Sequence, residues 1–573
     1  MKKQIAVIDK APSRVKYDEY FDFEYELLHL SSKPLPSGKR LLKADIDLDF
    51  EPELYDLVIL VGSEAAKHIG KISSVTNMAG QLVSDKFVAI TNPAMLSFKP
   101  EGKADFIKSV DKLKKIVNGE INAITEGYFV GIEDPDVAMT HLLEILNEAD
   151  TYVAIDTEGT ALYPRKGYVL GISLTYKKNW GVYISTDIMS DEHFEILQKI
   201  VDRYEIVFHN MKYDLKMIEY HTPIRFNRDR VHDTMVMHYI LDENSPHGLK
   251  YLALKYTDYG PYDDELEEYK KNYCTKHGLL LEEFTYDLIP FDIICKYASK
   301  DTGVTYELAL KFLPIIYANE KLRKVYQEIL LPGTIFLHEM EEVGIPIDTN
   351  RMSAAGVYLH ADIEIAKKKL YDFPELHALE KDQGEIFNPN SVQQLRKLLF
   401  DYVGLTPTGK LTATGAISTD AEVLEELSQE HPLPAAILAI RQKTKLLSTY
   451  INKILPQIDR DRRIRTNFNL IFTTSGRLSS SGTFNAQQIP RDDPIIKGCI
   501  VAPPGYKIVS QDLKTGEMYY AAVLSGDENL QAVFKTGGDF HSSIAKMVFA
   551  LDCDVDDVKK LYPEMRQSAK AIK

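Results

Sequence analysis

Carboxylates recur in this chain where strands and helices are predicted to begin or end. Asp156 and Glu158 lie two residues apart in the apolar run TYVAIDTEGT, which predicts a strand with both side chains on one face. Asp214 follows at a predicted strand-to-helix junction, and Asp301 lies one helical turn after Tyr297. A lone Asp-x-Glu pair is usually a solvated strand end. Four carboxylates from separate segments instead predict a site for two divalent cations that assists hydrolysis at phosphorus, with Tyr297 orienting the attacking water.

A second group of polar side chains occupies the stretch TTSGRLSSSGTFNAQQIP. One arginine stands there among small hydroxylated residues, and three amides come after it. Guanidinium and amide side chains suit the minor-groove edge and the sugars at the end of a duplex. We therefore predict DNA contacts for Arg477, Asn485, Gln487 and Gln488.

Another carboxylate pair follows this polar stretch. Residues 508–510 predict a buried strand that ends close to Asp512, and Glu517 comes five residues later as the chain turns into an apolar, helix-like run. A carboxylate at the end of a strand can hold a hard divalent cation. We therefore predict a metal contact for Asp512.

The order of these motifs resembles the palm of the family A DNA polymerases, the DNA polymerase I type. The resemblance rests on Ser-Gly-Arg-Leu-Ser-Ser, Asn-x-Gln-Gln-Ile-Pro, Asp-x4-Glu and Leu-Ser-Gly-Asp, in that order. It implies that Asp512 binds the catalytic metal and that Glu517 crowds the sugar 2′ position. It also implies that Arg477, Asn485 and Gln487 contact the primer terminus. The chain has one extra residue between Arg477 and Asn485, and its residues around Asp512 differ from those usual in the family.

The C-terminal residues extend the same resemblance. The segment GDFHSSIAKMVF resembles the family motif whose histidine touches the incoming phosphates, which implies this role for His541. Pro563 suits the first position of a helix, and Arg566 and Lys570 then lie four residues apart on one face. A cationic stripe is more often a solvated helix face. The resemblance implies instead that Arg566 and Lys570 bind the triphosphate of a deoxynucleotide.

The first carboxylate set resembles the Tyr-type 3′–5′ proofreading exonuclease of the ribonuclease-H-like fold. This resemblance implies that Asp156, Glu158, Asp214 and Asp301 bind two Mg²⁺ or Mn²⁺ ions, as two ions would also serve the polymerase site. It implies that Leu162 and Asn210 contact the terminal nucleotides of a melted strand. Asp233 has a similar context in the family and is expected to play a supporting role.

Three kinds of element must position these residues. We predict an α/β multidomain protein with a small α/β domain (residues 1–125), an exonuclease domain (126–325) and a polymerase domain (326–573). The first resembles, loosely, the uracil-DNA glycosylase fold and is expected to be non-catalytic. The second opens with a three-strand meander and a fourth strand. The third is a helical thumb followed by a partial palm and the start of the fingers.

Composition narrows the class of protein. The chain has 573 residues, 45% of them hydrophobic and 27% charged, and its formal net charge is −16. Such a charge argues against DNA binding by the whole surface, although arginines and lysines cluster at 441–445 and 460–465. The four cysteines are isolated, and no run approaches the ~20 apolar residues of a membrane span. The isolated cysteines fit a cytoplasmic protein. The resemblance to family A polymerases implies a phage-infected bacterial host and a role in DNA replication on primer–template DNA and deoxynucleotides.

The sequence leaves three interpretations open. Synthesis needs carboxylates on both sides of the metals, and the chain supplies only Asp512 of the palm pair. We therefore predict that it needs a second polypeptide carrying the rest of the fingers and palm. The alternatives are a stand-alone 3′–5′ exonuclease whose C-terminal half is a DNA clamp, and an interrupted gene.

Overall fold

The structure is a computed structural model that describes most of the chain. It describes residues 3–13, 15–35, 41–72, 75, 79–83, 86–98, 102–119, 127–412, 415–482, 484–490, 493–513, 515–535 and 537–570. The chain divides into two compact units, Met1–Ile500 and Val501–Lys573. The domain boundary predicted at residue 125 lies outside the described residues. The predicted domain limits therefore stay a prediction.

The first 119 residues form an α/β sandwich, as the sequence predicts. Its five strands are β1 (Ile5–Asp9), β2 (Glu26–His29), β3 (Leu57–Val61), β4 (Gln81–Val83) and β5 (Phe87–Ile90). Its two longest helices are α1 (Gly62–His68) and α2 (Lys103–Val117). The sheet order is β2-β1-β3-β5-β4, and only β4 runs antiparallel to its neighbour. All five residues of β1 and of β3 are buried, because both faces of a parallel sheet are covered.

The next part of the chain is built on a six-stranded sheet. Its strands are β6 (Tyr128–Ile132), β7 (Tyr152–Gly159), β8 (Val169–Thr175), β9 (Trp180–Ser185), β10 (Glu205–Phe208) and β11 (Val231–Asp233). The order is β11-β10-β7-β8-β9-β6. The predicted meander is confirmed by the antiparallel pairs β7–β8 and β8–β9, and the predicted fourth strand, β10, lies parallel to β7.

Seven helices surround this sheet. They are α3 (Pro135–Glu148), α4 (Asp191–Arg203), α5 (Met211–His221), α6 (Thr234–Leu241), α7 (Leu249–Tyr256), α8 (Asp264–His277) and α9 (Phe291–Ala318). The longest, α9, has 28 residues and packs across β6, β7, β8 and β9. Its polar residues Ser299, Asp301, Thr302 and Thr305 are buried together with its apolar ones. This helix therefore carries Tyr297 and Asp301 towards the sheet.

The remainder of the first unit is mainly helical, as predicted for a thumb. Its helices are α10 (Glu320–Val325), α11 (Leu331–Val343), α12 (Thr349–Leu370), α13 (Pro374–Gln383), α14 (Val392–Arg396), α15 (Ala421–Leu427), α16 (Pro432–Lys445), α17 (Asn452–Ile454) and α18 (Pro494–Lys497). Two short ribbons accompany them, β12 (Ile345–Pro346) with β13 (Arg463–Ile464) and β14 (Asn467–Asn469) with β15 (Ser479–Ser481).

Several side chains of the basic clusters at 441–445 and 460–465 form hydrogen bonds or ion pairs with other residues of this protein. Arg441 donates to the carbonyls of Pro389 and Thr419, and Lys443 pairs with Asp362. Arg463 donates to the carbonyls of Val343 and Gly344, and Arg465 pairs with Asp459 and Asp461. These contacts compete with the DNA phosphates that the charge runs suggested.

The second unit is a small helical cluster. Its helices are α19 (Gly516–Ser525), α20 (Glu528–Lys535), α21 (Phe540–Val548), α22 (Val555–Leu561) and α23 (Pro563–Ser568). The strand predicted at residues 508–510 is wrong: Ile508 and Val509 are exposed and outside any strand. A strand needs a neighbour to pair its backbone, and none of the described residues of the second unit forms a strand.

The length and the apolar character of a helix decide whether it can span a membrane. Among the described residues, none of the helices combines the length and the apolar character that a membrane-spanning segment requires.

Candidate functional site

Strand β7 presents the first two carboxylates. Asp156 and Glu158 alternate with Thr157, so they share one face of the sheet while Thr157 lies on the other. Thr157 uses its backbone N–H and its hydroxyl to donate to Asp214 Oδ1, at 2.9 and 2.8 Å. The carboxylate of α5 is thereby fixed to the strand that carries the other two.

The start of α5 is held by Asp233 at the end of β11. Its carboxylate accepts from the backbone N–H groups of Asn210 (3.1 Å) and Met211 (2.9 Å), and also from Met235 N at the start of α6. Asn210 adopts a left-handed conformation with φ of 66°, which asparagine tolerates better than most residues. Asp233 thus supports the site by fixing two helix N-termini, in line with its predicted supporting role.

Helix α9 supplies the remaining carboxylate. Oxygen atoms of Asp156, Glu158 and Asp301 all lie within 4.8 Å of one another, which is close enough for a shared metal ion. Tyr297, one turn before Asp301, is partly buried, and its ring lies 6.5 Å from that of Tyr286. The structure therefore brings together three of the four predicted carboxylates, and the fourth, Asp214, is bonded to Thr157 of the same strand.

Burial and mutual repulsion disfavour negative charge on the carboxylates of this cluster. Burial raises the pKa of Asp156, and repulsion from Asp214, Glu158 and Asp301 raises it further. Burial and Asp301 likewise raise the pKa of Glu158, and burial raises that of Asp214 to about 8. Asp214 Oδ2 is buried and has no hydrogen-bond partner among the described residues. Buried carboxylates with an unsatisfied oxygen fit divalent cations as ligands.

Tyr297 is a proton donor in this environment. Burial raises its pKa well above the usual value, and the neighbouring carboxylates Asp301 and Glu158 raise it further. The phenol therefore keeps its proton at neutral pH. It can donate a hydrogen bond to a water or phosphate oxygen but cannot act as a general base.

Two residues that sequence reasoning missed lie against Asp301. The Lys250 ammonium on α7 pairs with Asp301 and donates to the Tyr262 hydroxyl, which itself donates to Asp301. The same ammonium lies 4.2 Å from the centre of the Tyr262 ring and 4.0 Å from that of Tyr297. No local pattern marks either residue, because their partner lies 51 and 39 residues away.

The predicted strand-end contacts lie beside this cluster in the chain. Leu162 follows β7 and is 76% exposed, so its side chain is available to a ligand. Asn210 is the residue that caps α5, four positions before Asp214. Both placements are compatible with contacts to a DNA strand, which stay a prediction.

The arginine-containing stretch forms the turn between β14 and β15. Asn485 accepts from the Ser480 hydroxyl, donates to the Ser480 carbonyl (3.0 Å) and accepts from Gln487 N (3.1 Å). Gln487 Nε2 donates to the Leu478 carbonyl at 3.1 Å, beside the exposed Arg477. Gln488 is exposed, and its carbonyl accepts from the Tyr450 hydroxyl. The structure thus brings Arg477, Asn485 and Gln487 to one surface.

The metal-binding and nucleotide-binding residues predicted in the second unit lie in different segments of that unit. Asp512 and Glu517 are exposed, Asp512 before α19 and Glu517 in its first turn. Arg566 pairs with Asp539, its Nε and Nη2 donating at 2.5 and 3.1 Å, and Asp539 lies two residues before His541. Lys570 donates to Gln567 Oε1 at 2.7 Å. Asp539 therefore joins Arg566 to the start of the helix that carries His541, whereas no bond joins Asp512 to Arg566 among the described residues.

Comparison with known proteins gives two family matches. Residues 364–573 match the family described as DNA polymerase family A, and residues 131–316 match the family described as 3′–5′ exonuclease. A DNA polymerase of Escherichia phage T5 is 48% identical over 595 aligned residues, which cover 99% of this chain and 69% of that protein. DNA polymerase I of Chloroflexus aurantiacus is 30% identical over 72% of this chain, which spans only 43% of that relative.

The fold has a counterpart among solved structures. The POL domain of Pol1 from M. smegmatis, in complex with DNA primer-template and dNTP, matches with a TM-score of 0.57 and 25% sequence identity. The match covers 77% of this chain and 70% of that chain.

Proposed function

Because this chain belongs to DNA polymerase family A and carries a 3′–5′ exonuclease domain, we propose that it removes nucleotides from 3′ ends of DNA during DNA replication. The observation that carries the proposal is the buried cluster of Asp156, Glu158, Asp214 and Asp301. Burial raises the pKa values of Asp156, Glu158 and Asp214, and Asp214 also has a buried oxygen without a partner among the described residues.

The residues present would hold two divalent cations, Mg²⁺ or Mn²⁺. Asp156, Glu158 and Asp301 would supply ligands from one group of oxygens, and the neighbouring Asp214 would supply a further one. When bound, the cations supply positive charge that polarises the phosphate and acidifies a water molecule. The protonated Tyr297 hydroxyl orients the attacking water. Asn210 and Leu162 would hold the terminal nucleotides so that the last phosphodiester meets the carboxylates.

Single-stranded DNA with a 5′ label tests this proposal. We expect stepwise shortening from the 3′ end with Mg²⁺ and none with a chelator, since the carboxylates alone repel phosphate. Internal cleavage, or shortening that continues at full rate in the chelator, would reject the exonuclease assignment.

The second proposed activity is template-directed synthesis at a separate site. Arg477, Asn485, Gln487 and Gln488 would contact the primer terminus through the minor groove, and Asp512 would bind a catalytic divalent cation. Glu517 would exclude ribonucleotides, while His541, Arg566 and Lys570 would meet the triphosphate. Because Asp539 now holds Arg566, a triphosphate must share or replace that carboxylate.

A recessed primer with all four deoxynucleotides tests synthesis. Extension supports it, and shortening with no extension favours the alternative of an exonuclease with a DNA clamp. The second polypeptide predicted from the sequence finds no support in the comparisons, which align one relative with 99% of the chain. Extension by this chain alone would show that prediction to be wrong.

For the first domain we propose a non-catalytic, DNA-holding role on a uracil-glycosylase-like fold. Asp9, at the end of β1, is buried and accepts from the Tyr17 hydroxyl (2.6 Å), Asn92 Nδ2 (3.1 Å) and Lys10 N (2.7 Å). A carboxylate that is already engaged by three donors is a structural group. Release of uracil from DNA by the purified protein would contradict this assignment.

A further inference from the structure

The turn that carries Arg477 is built on the exonuclease part of the chain. We propose that exonuclease residues, Tyr239 above all, position this turn and thereby set the affinity for paired primer ends. The turn, here called the Arg477 loop, is residues 470–478 between β14 and β15. The inference rests on the proposed role of Arg477 at the primer terminus, and it assigns positioning residues in another domain.

Tyr239 fixes the middle of the loop. This residue of α6 is buried, and its hydroxyl donates to the Thr473 carbonyl at 2.9 Å. The same carbonyl accepts from Gly476 N at 3.2 Å, and Thr473 Oγ1 donates to the Arg477 carbonyl at 2.7 Å. One tyrosine hydroxyl therefore anchors the carbonyl around which the loop turns.

The loop also contributes to the exonuclease core. Ile471 is buried in the same apolar cluster as Tyr239, and Leu470 packs against that cluster. Burial of the Ile471 side chain removes apolar surface from water, which is favourable. Apolar burial therefore holds the start of the loop, and the hydrogen bond from the Tyr239 hydroxyl holds the turn at Thr473.

Two lysines of α5 hold the strand that leads into the loop. Lys212 Nζ donates to the Phe468 carbonyl at 2.5 Å, and Lys216 Nζ donates to Asn467 Oδ1 at 3.1 Å. Both lysines also pair with Glu341, whose carboxylate accepts from Phe468 N at 2.6 Å. All three charged side chains are at least 89% buried, so this hydrogen-bonded network holds β14 rigidly against α5 and α11.

One helix thus serves both activities. Lys212 and Lys216 lie one turn apart on α5, and Asp214, between them in sequence, faces the opposite side. One side of α5 contributes to the carboxylate cluster and the other holds β14. The same helix therefore positions both a carboxylate of the cluster and the strand that leads into the Arg477 loop.

Tyr239→Phe tests the proposal, because it removes a single hydroxyl and keeps the ring. Tyr204→Phe is the matched control, since the Tyr204 hydroxyl donates to the Leu146 carbonyl at 2.8 Å and is equally buried but remote from the loop. Fluorescence anisotropy in chelator measures the Kd for a recessed primer–template. Hydrolysis of single-stranded DNA with Mg²⁺ reports on the exonuclease site.

We expect Tyr239→Phe to weaken primer–template binding about three- to tenfold, the effect of one lost hydrogen bond, with unchanged kcat on single-stranded DNA. Tyr204→Phe should change neither quantity. Unchanged binding in Tyr239→Phe would overturn the proposal. An equal loss of binding and single-strand hydrolysis would also overturn it, since that indicates only a structural role.

Arg477→Ala separates this inference from the function beneath it. If Arg477→Ala alone leaves primer–template binding unchanged, the proposed role of Arg477 fails. If Arg477→Ala weakens binding and Tyr239→Phe does not, only the positioning role fails. In the double variant we expect no loss beyond that of Arg477→Ala, because Tyr239 acts through the arginine.

Discussion

At the scale of single residues, burial of the Asp214 carboxylate lowers the stability of the folded protein. Asp214 lies fully buried with its pKa raised to about 8, so the folded protein holds a carboxylate in an unfavourable environment. Its Oδ2 has no partner among the described residues. Such a group is costly unless it binds something. The unpartnered Oδ2 therefore supports the proposed role of Asp214 as a metal ligand.

Asp214→Asn is expected to abolish 3′–5′ hydrolysis while sparing the fold. We expect the rate on single-stranded DNA to fall at least about 100-fold, because an amide does not hold the cation's charge. In chelator, the free energy of unfolding should be unchanged or higher than in the wild type. Asp229→Asn, at an exposed carboxylate, is the control and should keep its rate. A strongly destabilised Asp214→Asn would mean that the carboxylate has a structural role instead.

Lys250 lies where a divalent cation would compete with it. Its ammonium pairs with Asp301 and lies over the Tyr262 and Tyr297 rings. In the absence of DNA, Lys250→Met should bind Mn²⁺ about threefold more tightly or better, since a nearby positive charge is removed. Mn²⁺ binding can be followed by electron paramagnetic resonance.

A lysine on the same helix provides the control for that experiment. Lys255 pairs with Asp242 at 3.4 Å and also lies over tyrosine rings, away from the carboxylate cluster. Lys255→Met should leave Mn²⁺ affinity unchanged. Weaker Mn²⁺ binding by Lys250→Met would show that Lys250 orders Asp301 for the metal and does not compete with it.

At the scale of elements, helix α5 joins the site to the rest of the unit. Glu219, near its end, accepts from Arg228 through two bonds of 2.8 and 2.7 Å and lies 3.8 Å from His338 on α11. Burial alone would raise the pKa of Glu219, but the neighbouring His338 and the hydrogen bonds from Arg228 outweigh it and hold the pKa at about 2. This carboxylate therefore stabilises the position of α5.

Glu219→Gln should destabilise the protein in a pH-dependent manner. The folded-state pKa lies below the ordinary value of 4.5, so the contribution is fully present above that pH and is lost as the pH falls towards 2. We expect a loss on the order of 2 kcal/mol at pH 7 that shrinks between pH 5 and pH 3. Urea unfolding across this range measures it. Glu195→Gln, at an exposed residue of α4, should show no such trend.

Elements with a strong local pattern could be predicted from the sequence. Strand β7 and helix α9 carry both their apolar periodicity and their carboxylates within one stretch, so their place in the site followed from spacing. The strand expected at residues 508–510 failed, because its apolar residues do not show whether a neighbouring strand is available. Lys250, Tyr262 and Tyr239 were missed for a related reason: their roles depend on partners far away in the chain.

At the scale of the whole molecule, charge does not mark the DNA-binding surface. The net charge is −16, and several arginines that looked available are bonded inside the protein, among them Arg441 and Arg465. The proposed DNA contacts therefore rely on local geometry near Arg477 and near the carboxylate cluster, and not on net charge. The two activities proposed for the chain consequently depend on the contacts that position the carboxylate cluster and the Arg477 loop.

The most direct test of this account compares matched and mismatched primer ends. A 5′-labelled primer is annealed to a template, and the removal of its 3′ nucleotide is timed with Mg²⁺ in the wild type and in Asp156→Asn. We predict that the wild type removes a mismatched nucleotide several-fold faster than a paired one, because an unpaired end reaches the carboxylates without melting a base pair. We predict that Asp156→Asn removes neither. Undiminished hydrolysis by Asp156→Asn would contradict the account, because the cluster would then not be the site of the reaction.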